Sequence, residues 1–332
     1  MPSVNNKKEI GNANYLWISY FYAFLKDTGR AGFVMASSAT DSQSNDKDIR
    51  EKLIRTGHVD CMISVANNFF YTKSLPCTLW LFDRGKKEEL QDKILFIDAR
   101  NYFTVVDRTL NEWTEWQLKN LNAIVWLYRG ETDKYKKLID DYYNAFDNYR
   151  TFDWDKDSAD IFEPEYEDEK LTGILIGRKT FAEIHEGLKG YIKEQRAKAK
   201  AEVEAADRKS KKKTQGAWDD RLAWLTNIET TVKEACWLYE KFGDGEYKDI
   251  PGLCKIAYTT EEAKGNDNEG ISTQEKGWSL TPGAYVGVAP VEDDGVDFEE
   301  RMTEIHKELM ALQAESNDLM DNISTNMREM GL

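Results

Sequence analysis

Residues His58–Phe82, HVDCMISVANNFFYTKSLPCTLWLF, predict a β-hairpin around which the rest of the chain is arranged. Two short apolar runs with β-branched residues, typical of strands, lie at His58–Val65 and Leu75–Phe82. Pro76 lies near the start of the second run. Proline has no backbone N–H, but at the start of a strand this removes no hydrogen bond from the middle of the sheet. Only about ten residues join the two runs, which is too short for a crossover helix and suits an antiparallel pair.

Three consecutive aromatic residues interrupt the polar loop between these two strands. They are Phe69, Phe70 and Tyr71, and Lys73 follows two positions later. A solvated connection does not normally carry such a triplet. Either the rings plug the core beneath the loop, or they present a flat apolar surface to a ligand. The residues by themselves leave both interpretations open.

The chain before this stretch predicts an α/β fold. A helix is expected at Asn12–Lys26, a fully buried strand at Ala31–Ala36 and a second helix at Asp46–Arg55, which ends at Gly57. Because a helix connects them, the strand at Ala31–Ala36 and the strand at His58–Val65 should run parallel. Together with the hairpin strand, this gives parallel strands plus one antiparallel strand.

The next segments continue the same pattern. A further strand is predicted over Ile94–Arg100, with Asp98 and Arg100 at its end, and a Trp-rich helix over Arg108–Tyr128. An Asp-x-Arg at the end of a strand is read either as a local ion pair or as the site of an unrelated Rossmann-like enzyme.

Composition limits the possible functions. The chain of 332 residues carries a net charge of −15, which argues against wrapping nucleic acid unaided. The four cysteines form no C-x-x-C pair, and the three histidines lack metal-ligand spacing, so we expect no metal site and a reduced, cytoplasmic protein. No apolar run is long enough to predict a membrane span.

The middle of the chain is strongly charged. An acidic loop is predicted at 149–170, followed by a helical hairpin made of Phe181–Lys213 and Trp218–Phe242. The basic residues at 189–213 admit two interpretations: an arm that contacts phosphates, or a solvated helix whose interleaved glutamates balance the lysines.

The last helix carries a sustained apolar seam with alternating spacings of four and three, typical of a coiled coil. Its surface is acidic, and its interruption falls at Ser316. The seam either folds back on its own domain or docks on a partner helix. Its apolar positions are Phe298, Met302, Ile305, Leu309, Leu312, Leu319, Ile323 and Met327.

At this point several separate motifs, in order, resemble the modification subunits of type I restriction-modification systems, which are adenosylmethionine-dependent DNA adenine-N6 methyltransferases. The resemblance covers 12–130 and 277–332 well, and 150–276 only loosely. The motifs are Asn12–Trp17, Gly29–Val34, Ile49–Ile54, Val59–Met62, Phe69–Trp80, Ile94–Arg100, Trp278–Gly287 and the acidic helix from Phe298.

This resemblance implies the C-terminal half of a Rossmann-like methyltransferase sheet at 12–148. A charged helical hairpin with loops follows at 149–276, and a turn region with an assembly helix at 277–332. The family's glycine-rich cofactor turn and its catalytic Asn-Pro-Pro-Phe motif are absent from this sequence. We therefore expect no catalytic residue here and no tight binding of S-adenosylmethionine to this chain alone, although the complete subunit would use that cofactor.

The family chemistry also implies roles for residues that are present. Methylation of an adenine requires the base to leave the duplex and stack on an aromatic face. By position, Phe70 is the first candidate for that face, Tyr71 and Phe69 are the next, and Lys73 is a weak candidate for a phosphate contact. Implied partners are the specificity subunit, a second modification subunit, the restriction subunit and double-stranded DNA reached through the complex.

Two functions remain open at this stage. The chain is either part of an adenine methyltransferase, supplying the pocket wall and the assembly helix, or a non-catalytic interaction module that binds the specificity subunit. They differ in whether the missing motifs are supplied by another segment.

Overall fold

The computed structural model describes residues 13–149, 151–152 and 166–289, together with individual helical positions between 302 and 327. The chain divides into two compact units, Met1–Ala289 and Pro290–Leu332. Residues 277–289 therefore belong to the first unit, although the sequence groups them with the last helix.

A five-stranded mixed sheet forms the centre of the first unit. Its order is β1-β3-β2-β4-β9. The strands are β1 (Arg30–Ala36), β2 (Val59–Val65), β3 (Cys77–Asp83), β4 (Lys93–Asp98) and β9 (Cys254–Tyr258).

The directions of the strands confirm the mixed α/β fold. β3 pairs antiparallel with β1 on one side and with β2 on the other, so β1 and β2 run in the same direction with β3 between them. β2 pairs parallel with β4, and β9 closes the far edge in antiparallel orientation. The predicted antiparallel hairpin of β2 and β3 is therefore confirmed.

One prediction about β1 is wrong. The strand is not fully buried: its residues alternate between exposed and half-buried. The apolar composition of Ala31–Ala36 suggested a central strand, but only β3 pairs with it in the described part of the chain.

Two apolar layers cover the faces of the sheet. The first lies against α1 (Asn14–Ala23), α2 (Asn45–Arg55) and the segment around α10 (Gly283–Val286). The second lies against α4 (Glu115–Tyr128) and the helices that follow it. Short helices flank the sheet at α3 (Glu88–Gln91) and α9 (Glu261–Lys264).

The predicted helix at Arg108–Tyr128 starts too early. A small hairpin of β5 (Thr104–Asp107) and β6 (Leu110–Glu112) precedes α4. The Thr114 hydroxyl caps α4 by accepting a hydrogen bond from the Gln117 backbone N–H, and the Gln117 side-chain oxygen accepts one from the Thr114 backbone N–H. This reciprocal cap fixes the first residue of the helix at Glu115.

The remaining elements form a helical layer. They include the predicted antiparallel hairpin, although its second helix begins at Lys211 rather than Trp218, so the basic run 211–213 lies in the first helical turn. The elements are α5 (Thr132–Asn148), β7 (Thr151–Phe152), β8 (Tyr166–Glu167), α6 (Glu169–Leu175), α7 (Phe181–Ala205) and α8 (Lys211–Phe242).

The turn region that follows Gly277 packs onto the sheet. Tyr285 stacks on Phe96 of β4 with ring centroids 3.8 Å apart. The buried Arg50 of α2 donates to the Trp278 carbonyl at 2.5 Å and to the Tyr15 hydroxyl at 3.0 Å. One buried cation therefore ties α1 and α2 to a segment more than two hundred positions later.

In the second unit, the described positions of the predicted seam are helical and exposed. Their exposed fractions range from 44% at Ile305 to 62% at Leu309. Phe298 lies outside the described residues. The helix thus presents its apolar residues without cover from its own unit at these positions.

Candidate nucleic-acid base site

The aromatic loop lies at the edge of the sheet where ligands usually bind. β1, β2 and β4 point the same way, so Ala36, Val65 and Asp98 end at one edge. Open α/β sheets bind ligands outside the carboxyl ends of their strands. The loop of residues 66–76 follows β2 directly and therefore stands at this edge.

Phe69 anchors the loop to the core. Its ring lies 4.8 Å from that of Trp113 and 6.0 Å from that of Phe103, measured between centroids. Trp113 in turn donates its indole N–H to the Tyr102 carbonyl at 2.6 Å. Phe69 therefore packs against the core beneath the loop, as in the first of the two interpretations of the triplet.

The β5–β6 hairpin braces the same loop. The Asn111 amide donates to the Asn68 carbonyl at 2.8 Å, and its side chain donates to the Asn67 carbonyl at 2.9 Å. Asn68 has a φ of 65°, a left-handed conformation that asparagine adopts more readily than most residues. The loop is therefore held at its base before the aromatic residues begin.

The other two rings face outward. Phe70 is 42% exposed and Tyr71 is 91% exposed, and the neighbouring Lys73 is exposed as well. A short bridge between Phe70 and Lys73 closes the turn that carries them. The loop thus carries one anchored ring followed by two exposed rings.

The Asp98 and Arg100 side chains neutralise each other at the end of β4. Arg100 donates from Nε to Asp98 Oδ1 at 2.8 Å and from Nη2 to Oδ2 at 2.6 Å. Its hydrogen bond to Asp98 raises the pKa of Arg100 further above its ordinary value. This paired geometry is the local ion pair expected from the sequence, and it argues against a separate active site there.

Sequence reasoning missed a polar contact beside the loop edge. Thr40, just after β1, lies with its hydroxyl oxygen 2.7 Å from that of Thr281, and the Leu280 amide donates to the Thr40 carbonyl at 2.8 Å. These residues are 241 positions apart, so no local pattern pointed to the contact. It fixes the turn before α10 against the carboxyl edge of the sheet.

The basic segment at 189–213 is partly neutralised by its own helix. Lys189 pairs with Glu186, Lys198 pairs with Glu202, and Lys198 also lies 5.8 Å from the centroid of the Trp218 ring. These contacts match a solvated helix with interleaved charges.

The strand ends of the described sheet lack one sequence feature of dinucleotide-binding folds. No glycine-rich turn follows β1, β2 or β4, where Ser37, Ala66 and Ala99 stand instead. The same part of the chain holds no cluster of His, Cys, Asp and Glu suited to a metal ion. None of its helices is long and apolar enough to cross a membrane.

Comparison with known proteins finds similarity to a family of DNA methylases. Residues 3–163 match the family described as N-6 DNA Methylase. The chain is similar to the N-6 DNA methylases of type I restriction systems. The resemblance inferred from the ordered motifs is therefore confirmed.

Two relatives illustrate how far the N-6 DNA methylase similarity extends. The MjaIX methylase subunit of Methanocaldococcus jannaschii is 35% identical over 111 residues, covering 33% of this chain and 20% of that protein. The HindI methylase subunit of Haemophilus influenzae is 27% identical over 322 residues, covering 97% of this chain and 44% of that protein. The chain thus spans less than half the length of these relatives.

Among solved structures, a type I restriction-modification methyltransferase subunit from Streptococcus thermophilus is similar to part of the chain. The sequences are 20% identical, and the TM-score is 0.33. The alignment covers 35% of this chain and 24% of that one.

Proposed function

We propose that this chain supplies one wall of the pocket that receives a flipped adenine in a type I DNA adenine-N6 methyltransferase. The proposal rests on the different environments of the three aromatic residues of the loop. Phe69 packs on Trp113, while Phe70 and Tyr71 are exposed at the carboxyl edge of the sheet. The similarity to type I methylase subunits supplies the chemistry for which such a surface is needed.

In this proposal Phe70 is the main stacking partner of the base. Every base offers a π face, and stacking on an aromatic side chain contributes about 1–3 kcal/mol. Tyr71 supports the exposed end of the stack, Phe69 positions the loop, and Lys73 lies close enough in sequence to contact a neighbouring phosphate.

The methyl donor and the catalytic groups belong to the rest of the methyltransferase. S-adenosylmethionine is the cofactor expected of the complete subunit, and the described residues bind and orient the base without taking part in bond making. Alone, the chain should transfer no methyl group. Recovery of activity on adding the missing portion would support this division of roles.

The exposed seam supports the second role, assembly. The helix carrying Met302, Ile305 and Leu309 is proposed to dock on helices of the specificity subunit, which selects the DNA sequence. A second modification subunit, the restriction subunit and duplex DNA complete the proposed assembly, in the cytoplasm. The alternative function, a non-catalytic module that binds the specificity subunit, uses the same seam.

The base-stacking role can be tested on the chain itself with single-stranded DNA containing 2-aminopurine at low salt. Stacking quenches the fluorescence of this adenine analogue. We expect Phe70→Ala and Tyr71→Ala each to weaken binding about 5- to 100-fold, in line with the energy of one stacked base.

Tyr239→Ala is the matched control, because this ring on α8 is 40% exposed, close to the exposure of Phe70. Its binding and quenching should equal those of the unsubstituted chain. Equal quenching in all three variants would remove the aromatic loop from the proposed base pocket.

A further inference from the structure

The outer part of the α7–α8 hairpin extends beyond the main core of the first unit. The buried core that includes α4 takes its last residue from α7 at Ile192 and its first from α8 at Leu225. About thirteen residues of each helix, roughly 20 Å at 1.5 Å per residue, therefore lie outside it. This outer part, residues 193–224, is here called the arm. Trp218 joins its two helices, because its buried indole N–H donates to the Glu202 carboxylate at 2.8 Å.

The arm concentrates positive charge in an acidic chain. Residues 189–213 hold ten Lys/Arg and only four Asp/Glu, although the whole chain has a net charge of −15. Ion pairs use part of this charge, since Lys189 pairs with Glu186 and Lys198 pairs with Glu202. Further exposed cations form no ion pair with the described part of the chain, and they are Lys193, Arg196, Lys200, Arg208, Lys209, Lys211 and Lys212.

The cations at the tip of the arm do not stabilise the fold. Asp207 is the acidic residue of the turn, and its carboxylate accepts from the backbone N–H groups of Lys209 at 2.8 Å and Ser210 at 2.9 Å. Lys211 and Lys212 open α8, whose first turn carries no acidic residue. The positive end of the helix dipole repels cations at this place. These charges therefore lower the stability of the helix start until an anion lies beside them.

Several of the unpaired cations lie on one side of the arm. Arg196 and Lys200 of α7 line the groove between the two helices together with Gln215 of α8. Lys211 precedes Gln215 by four positions, so the helical repeat places it on the same side. Glu204 is the acidic residue that lines this groove. The arm thus presents a row of cations that crosses from α7 to the start of α8.

We propose that the arm binds the phosphate backbone of duplex DNA, at a place separate from the loop that carries Phe70. Lys and Arg gain affinity for a duplex by replacing the counterions of its phosphates, and such contacts fix position without reading sequence. The choice of DNA as the polyanion rests on the proposed function, since the duplex must be held while one of its bases leaves the stack. The local excess of cations attracts DNA that the rest of the chain repels.

An acidic protein surface is the competing partner, and the exposed side chains of the arm argue against it. Interfaces between proteins place aromatic and other apolar residues at their centre. Within residues 193–224, all of which the structure describes, no large apolar side chain is exposed. A surface of cations without an apolar centre fits a phosphate backbone better than it fits a folded protein.

The test measures binding of the full chain to a fluorescently labelled duplex of about 20 base pairs by anisotropy, at salt concentrations from about 20 to 200 mM. The logarithm of Kd should rise linearly with the logarithm of the salt concentration. Each phosphate contact contributes about 0.9 to that slope. We expect the slope to fall by about three to four, and the Kd at low salt to rise at least tenfold, in a chain that combines four substitutions: Arg208→Gln, Lys209→Gln, Lys211→Gln and Lys212→Gln.

The matched control removes the same charge elsewhere. Its four lysines are exposed and form no ion pair with the described part of the chain, and the changes are Lys52→Gln, Lys136→Gln, Lys137→Gln and Lys276→Gln. Its slope should stay within about one of the unsubstituted chain's. Acetylation of lysines, followed by mass spectrometry, locates the contact: DNA should protect Lys209, Lys211 and Lys212 and leave Lys136 and Lys137 reactive.

No binding at the lowest salt, an unchanged slope in the arm variant, or an equal loss in the control variant would each overturn the proposal. Tighter binding of poly-L-glutamate than of DNA, lost in the arm variant, would also overturn it and would assign an acidic protein to the arm. The duplex has only paired bases, so Phe70→Ala should leave its slope and Kd unchanged. Failure of base stacking and failure of the arm contact are therefore distinguishable.

Discussion

Lys86 is a single buried charge that is held by polar groups of two strands. Its ammonium is buried between β2 and β4, donates to the Val59 carbonyl at 2.9 Å and to the Lys93 carbonyl, and lies 3.9 Å from Asp60 Oδ1. Asp60 also pairs with Arg129. Burial lowers the pKa of Lys86 from 10.5 to about 8 and outweighs the attraction of Asp60.

This depressed pKa predicts that the contribution of Lys86 to stability grows as pH rises from about 8 toward 10. In that window the unfolded chain keeps the Lys86 proton and the folded chain releases it, so unfolding takes up a proton. The free energy of unfolding, compared with that of Lys86→Met at the same pH, should rise by roughly 1–3 kcal/mol. The comparison with Lys86→Met is needed because the buried cysteines have raised pKa values and lower the stability of both proteins in this window. Urea unfolding of both proteins at pH 8 and pH 10 measures the difference, and an identical pH dependence in the two would contradict the prediction.

At the scale of elements, α4 and α8 are joined by a buried polar network around Glu234. Its carboxylate accepts hydrogen bonds from the Tyr102 hydroxyl, from Gln117 at 3.1 Å and from Asn120 at 3.2 Å. Asn120 also accepts from the Tyr142 hydroxyl of α5 at 2.8 Å. Burial raises the pKa of Glu234 despite these three donors.

Removing the Glu234 carboxylate should therefore lower the stability of the helical layer. Glu234→Ala leaves the Tyr102 hydroxyl and the Gln117 side-chain amide without their acceptor, while Asn120 still donates to the backbone carbonyl of residue 234. We expect a loss of about 2–4 kcal/mol in the free energy of unfolding. Tyr102→Phe removes one donor and should cost about 1–2 kcal/mol. Glu240→Ala, on an exposed position of the same helix, should change stability by less than about 0.5 kcal/mol. Similar losses from Glu234→Ala and Glu240→Ala would contradict the network's role.

The elements also show what the sequence could predict. Helix and strand positions and the β2–β3 hairpin followed from local apolar patterns and short connections. The start of α4 was predicted too early because the Trp-rich segment was assigned to the helix from Arg108. Thr114 and Gln117 have the spacing of a capping box, which marks the correct start. The pairing of β4 with β9 was out of reach, since partners some 160 positions apart leave no local signal.

The base site was predictable only in part for the same reason. The triplet pointed to the right loop, but which ring is anchored depends on Trp113 and Phe103, which come from the following hairpin. The contact between Thr40 and Thr281 joins distant segments and could be found only in three dimensions. The burial of β1 was predicted too high, because an apolar run does not reveal whether a strand has neighbours on both sides.

At the scale of the whole molecule, the two compact units suggest separable roles. The first unit carries the sheet, the aromatic loop and the buried networks. The second unit carries the exposed seam at Met302, Ile305, Leu309 and Ile323. Apolar residues repeated at heptad spacing and left uncovered are stabilised when a partner helix buries them.

A chain that ends at Gly295 should therefore keep its fold and lose assembly. We expect its thermal unfolding midpoint to stay within a few degrees of the full chain's, because the buried cores lie before Ala289. Its affinity for the specificity subunit should fall at least a hundredfold, since burying each large apolar side chain contributes about 1.5–3 kcal/mol. The matched variant is the full chain with Leu309→Asp and Leu312→Asp, which keeps its length and disrupts only the seam. If both proteins bound the specificity subunit with unchanged affinity, the assembly surface would have to lie on the first unit.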